Sequence, residues 1–77
     1  MNKQRRKDIE SAQAHIDEAK SIIANARDEE QDYFDNMPEN FQYGEKGEAA
    51  ETAINALDEF EGMVDDAMDH IYSECGI

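Results

Sequence analysis

Two long runs in this chain carry apolar residues at alternating steps of three and four, with almost no glycine or proline, and this pattern constrains the fold more than any other feature. In the first run, Ile9, Ala12, Ile16, Ala19, Ile23 and Ala26 keep a heptad spacing that Tyr33 resumes beyond Glu30. Ile22 and Phe34 widen this stripe near its far end. In the second run, Ala50, Ala53, Leu57, Phe60, Val64, Ala67 and Ile71 repeat in the same way, with Ile54, Met63 and Met68 beside them. The spacing predicts two amphipathic helices, over residues 3–34 and 48–75, whose small alanines let another helix approach closely. Gly62 is tolerated within the second at a cost of about 1 kcal/mol relative to alanine and leaves room for a bulky neighbour. Gly76 stands where a helix ends.

Between the runs lies DNMPENFQYGEKGE, Asp35–Glu48, with the only proline and two of the 4 glycines. Residues 35–47 read as a connector with its own turn. Asp35 or Asn36 is placed to cap a short segment over Met37–Phe41, Pro38 is tolerated in its first turn, and Gly44 is expected to leave it in a left-handed conformation. Met37, Phe41 and Tyr43 are expected to plug the end of the structure. The fold class is therefore all-α, a single antiparallel two-helix hairpin of 77 residues. A core of that size supplies only about 3–5 kcal/mol, and a two-helix layer leaves part of each stripe uncovered. Two hairpins are expected to pair as a four-helix bundle, a homo-oligomer with Ile22, Ile54, Met63 and Met68 at the contact.

Charge narrows the partner class. The formal net charge is -13, from 20 acids against 7 bases. Lys3, Arg5, Arg6 and Lys7 crowd the first helical turns, the unfavourable end for the helix dipole, and pairing with Asp65, Asp66, Asp69 and Glu74 on the other arm is expected to relieve them. Beyond residue 7 only Lys20, Arg27 and Lys46 oppose the acids. That body carries one net negative charge per about 2.4 Å of helix length, against about 1.7 Å in duplex DNA. Direct nucleic-acid binding and association with anionic membrane are disfavoured, and a basic surface is the natural complement. The acids are densest at the joint, where Asp28, Glu29, Glu30, Asp32, Asp35, Glu39, Glu45 and Glu48 form the candidate partner-binding set.

Little else carries chemistry. Asp65-Asp66-Ala67-Met68-Asp69 matches the DDxxD pattern of magnesium-binding prenyl-diphosphate enzymes, but those sites need further helices to enclose substrate. Asp66, His70 and Glu74 share a helix face, and His15, His70 and Cys75 fall near one end, yet no CxxC, HExxH or ExxH spacing supports a metal. No nucleophile elbow, phosphate loop, dinucleotide fingerprint or EF-hand loop occurs. No enzymatic activity, cofactor or metal is expected. The single Cys75 calls for no oxidising compartment, MNKQRRK is not followed by the apolar stretch of a signal peptide, and no run reaches membrane-spanning length, so a cytoplasmic protein is expected.

The segment FDNMPENFQYGEKGE, preceded by ARDEEQ and followed by AINALDEFEG, together with the opening NKQRRKDIE, resembles small acidic helical proteins encoded by bacteriophages, prophages and related mobile elements. The resemblance implies a protein made inside an infected cell and acting on a host system, with no activity site to carry over. The leading expectation is a non-enzymatic binding protein whose acids imitate phosphates and occupy a basic groove of a host or defence protein. The alternatives are a structural or regulatory helical module recognised through its apolar seam, and an oligomeric sponge holding a nucleotide between subunits, with Lys3–Lys7 on its phosphates.

Overall fold

The computed structural model describes residues 1–77 and contains three helices, α1 (Lys3–Asp35), α2 (Glu39–Gln42) and α3 (Glu45–Cys75). α1 and α3 pack antiparallel as a hairpin extending over 58 × 18 × 12 Å. The thinnest dimension is that of a single helix.

α1 runs unbroken for 33 residues because nothing in it interrupts the ladder. Asn2 caps it, its side chain accepting from the Arg5 N–H at 2.9 Å. Along its surface Gln4, Gln13 and Gln31 each donate to the aspartate four residues on, at 3.0, 2.7 and 2.9 Å. Pairs of this spacing each add about 0.2–0.5 kcal/mol to a helix. The Asn36 side chain closes the other end, donating to the Asp32 carbonyl at 2.8 Å.

The connector is shorter than expected, since α3 begins at Glu45. The turn within it is α2, four residues capped by Pro38, whose carbonyl accepts from the Phe41 and Gln42 N–H groups at 2.8 and 3.2 Å. Gly44 is not left-handed. With φ -95 and ψ -172 it is extended backbone serving as the N-cap of α3. The left-handed glycine is Gly76, φ 69, where the Gly76 and Ile77 N–H groups both turn back to the Tyr72 carbonyl. Phe41 and Tyr43 do not plug the hairpin either; they are 53% and 78% exposed. Gln42 closes the end instead, donating from Nε2 to the Phe34 carbonyl at 3.1 Å, while its backbone lies against Gly47.

The buried residues are Gly47, Ala50, Ile54 and Met68, all on α3. Leu57, Val64, Ile71 and Cys75 are half-buried in the same stripe. On α1 the less exposed positions are Ile9, Gln13, Ile16, Lys20, Ile23, Arg27, Glu30, Gln31 and Phe34. Half of each predicted seam is therefore present: Ile9, Ile16 and Ile23 face Ala50, Leu57, Val64 and Ile71. The other half is displaced by one residue. Ala12, Ala19, Ala26 and Tyr33 are exposed, as are Phe60 and Ala67, while Gln13, Lys20, Arg27 and Phe34 on α1 and Ile54 and Met68 on α3 are the shielded positions in their stead. Ile54 and Met68, expected at a contact between hairpins, thus belong to the hairpin's own core. The physical reason is area: burying Ile54 and Met68 removes far more apolar surface from water than burying Ala53 and Ala67. Opposite them, Lys20 and Arg27 lay aliphatic stems along the seam and keep their charged ends at its edge.

Candidate binding faces

Two ion pairs set the register of the hairpin. Lys20 Nζ contacts Asp65 Oδ1, and Arg27 Nε donates to Asp58 Oδ1 at 2.9 Å. Hydrogen bonding to Asp65 raises the Lys20 pKa above its ordinary value, and hydrogen bonding to Asp58 raises that of Arg27, each against a smaller opposing effect of desolvation. Both cations are fixed in their charged forms. Arg27 also reaches Asp28, 3.6 Å away.

With Lys20 level with Asp65 and Arg27 level with Asp58, one residue back along α1 corresponds to one residue forward along α3. Ile22 is then level with Met63 and His15 with His70, while Lys7 is level with the position after Ile77. The basic cluster Lys3, Arg5, Arg6 and Lys7 therefore overhangs the end of α3. The expected pairing with Asp65, Asp66, Asp69 and Glu74 does not form; every ion pair in the structure is made by Lys20 or Arg27. α1 simply runs past the last turn that could answer it.

The displaced seam sorts the remaining surface into two sides. Each residue advances a helix by about 100°, so positions three after and one before a shared seam position lie to one side, and those one and five after it lie to the other. Both helices use the same half of the heptad inward. In an antiparallel pair, equivalent positions then come to the same side of the hairpin. One side carries Ala12, Ala19, Ile22, Ala26 and Tyr33 from α1, with Ala49, Ala53, Ala56, Phe60, Met63 and Ala67 from α3. His15 and His70 flank it at one end, and between those histidines and Tyr33 its only charged residue is Glu29. Ile22 and Met63, the two predicted contact residues left on the surface, stand at its centre, 61% and 66% exposed. The opposite and outer positions hold most of the acids, among them Asp17, Asp28, Glu51, Asp58, Asp65 and Asp69.

The predicted acidic set does not make one face. Asp28, Asp35 and Glu48 lie on the acidic side, Asp32 and Glu45 point away from the seam, Glu29 falls on the apolar side, and Glu30 is half-buried between the helices. Together with Glu39 on α2 they ring the joint end of the rod. Sequence reasoning passed over the acids running along the middle of the acidic side. Their signal was the heptad itself, once its inward half is assigned correctly. No three His, Cys, Asp or Glu side chains converge on a point that could hold a metal ion, and Asp65 of the DDxxD run is engaged by Lys20. No helix is long and apolar enough to cross a membrane. Comparison with protein-family models, curated proteins and solved structures finds no match to this chain.

Proposed function

We propose that this chain is a non-enzymatic binding protein whose acidic side engages a basic groove of a host or defence protein in the place of a nucleic acid, as its resemblance to small acidic phage proteins implies. One observation carries the reading: most of the acids lie on the opposite and outer positions and around the joint end of a rod one helix thick, and only Lys20 and Arg27 neutralise any of them. A solvated helix needs charge, but it does not need one side left with Glu29 as its only charge between the two histidines and Tyr33. Acidic repeats along a rigid rod provide the spaced negative charge that a phosphate-binding groove accepts. The hairpin acts as a homo-oligomer, two copies closing a four-helix bundle with their acidic sides outward.

The test is affinity capture from bacterial lysate at low salt. The wild-type chain is compared with one carrying Asp28→Lys, Asp32→Lys, Asp35→Lys and Glu48→Lys. A nucleic-acid-binding protein retained only by the wild type, released at moderate salt and displaced by added duplex DNA, is the expected result. Binding that survives both the reversals and high salt would overturn the reading.

A second reading, a helical module whose recognition is apolar, is favoured by the exposed Ile22, Tyr33, Phe60 and Met63. It predicts that Phe60→Asp abolishes partner capture while the acid reversals leave it intact.

A further inference from the structure

We infer that the apolar side of the hairpin is covered by a second copy of this chain lying the opposite way along the rod, so that the two joint ends stand at opposite ends of the bundle. This deepens the pairing proposed above by naming its face and its sense, and it does not depend on any basic protein partner.

Area requires a cover. The chain exposes 5777 Å². A compact monomer of its 8.8 kDa exposes about 4,800 Å². The excess is roughly 1,000 Å² per chain, against about 800 Å² that each partner contributes to a standard stable interface. The cover is to be sought on the side where Ile22, Tyr33, Phe60 and Met63 are exposed among alanines, since monomeric proteins rarely leave contiguous apolar patches of more than a few hundred Å² open. A second copy fits there because the patch is apolar and nearly symmetrical about its own middle, Ile22 standing level with Met63. A foreign partner complementary to this chain's charge would instead seek the acids.

Charge selects the sense. If the joint ends lay together, the acids from Asp28 to Glu48 of both copies would crowd one end and both basic tips the other. With the copies opposed about Ile22 and Met63, α1 of one copy lies over α1 of the other. The tip Lys3–Lys7, which reaches past its own α3 and has no ion pair there, is then brought to the acidic joint end of the other copy. Glu29, the lone carboxylate within the patch, falls opposite His15 of the other copy. Attraction and burial agree in this arrangement and conflict in the alternative.

The experiment uses the full chain in three forms. Light scattering of the wild type is expected to give twice the 8.8 kDa chain mass. Ile22→Asp combined with Met63→Asp is expected to weaken association by about a hundredfold or more while far-UV circular dichroism stays helical, because each substitution forfeits one large buried side chain at an otherwise exposed position. For the sense, single cysteines are placed in a Cys75→Ser background. Ile22→Cys is expected to form a disulfide-linked homodimer under mild oxidation; Ala12→Cys is expected to link to Tyr33→Cys in a mixture and not to itself. A monomeric wild type, a mass of four or more copies, an unchanged mass in the Asp variant, or efficient linking of Ile22→Cys only to Met63→Cys would each overturn the inference. Loss of lysate capture with the dimer intact would remove the proposed function alone.

Discussion

A methyl group placed on Gly47 would lie 1.9 Å from the Gln42 carbonyl oxygen and 2.4 Å from its carbon. The first turn of α3 thus touches the backbone of α2 directly, with no side chain between them. Neither atom is the movable end of a side chain, so Gly47→Ala must push the two elements apart. That displacement also draws the Gln42 amide away from the Phe34 carbonyl, the bond that ties the connector to the end of α1. Gly47→Ala is expected to destabilise the hairpin by about 1–3 kcal/mol, the usual cost of overpacking. Urea unfolding followed by circular dichroism measures it, and an unchanged midpoint would show that α2 is not seated on α3.

Gly62 behaves in the opposite way. A methyl group there meets nothing within 4 Å, so the bulky neighbour expected from sequence is absent. Its backbone is ordinary helix, and the substitution acts on the unfolded chain. Gly62→Ala is expected to stabilise by about 0.5–1 kcal/mol, raising the melting temperature by several degrees in a chain this short. A lowered melting temperature would mean that a second molecule approaches closely at this position.

The ion pairs make a prediction about pH. Lys20 has its pKa raised in the folded state, chiefly by its hydrogen bond to Asp65. A raised pKa on a cation contributes stability in full below the unfolded value and loses it as pH climbs through the folded one. The coupling between Lys20→Met and Asp65→Asn in a double-mutant cycle is therefore expected to hold steady across neutral and mildly alkaline pH, and to fade only above the ordinary lysine value of 10.5. The cycle between Arg27→Met and Asp58→Asn should show no such fade, since a guanidinium keeps its proton throughout that range. Coupling that vanished near neutral pH would contradict the register these pairs define.

That register was only half legible in the sequence. Ile9, Ile16 and Ile23 face Leu57, Val64 and Ile71 on spacing alone, and the breakers at Pro38 and Gly44 placed the reversal. Whether Ala53 or Ile54 completes the seam is a rotation of about 100°, and a strict heptad of alanines looks as regular as the true one. The decision rests on which choice buries more area and gives Lys20 and Arg27 acids to meet, and both depend on the facing helix. Gly47 was hidden for a similar reason, since no local pattern records that another backbone will come that close. The joint acids were visible as a charge run, but their scattering around the rod follows from the same rotation and was not.

The overhang of α1 decides the last prediction. If Arg5, Arg6 and Lys7 paired with Asp66, Asp69 and Glu74, neutralising them would cost stability. In the structure they lie beyond α3, capped only by Asn2, with their positive charges at the positive end of the helix dipole. Arg5→Gln, Arg6→Gln and Lys7→Gln together should then leave the hairpin as stable as before or slightly more so, by a few tenths of a kcal/mol. The comparison is made in a chain already carrying Ile22→Asp, so that any contribution from a second copy is removed from both sides. A loss of more than about 1 kcal/mol in that background would restore the pairing across the hairpin ends and, with it, a register shifted by at least one helical turn.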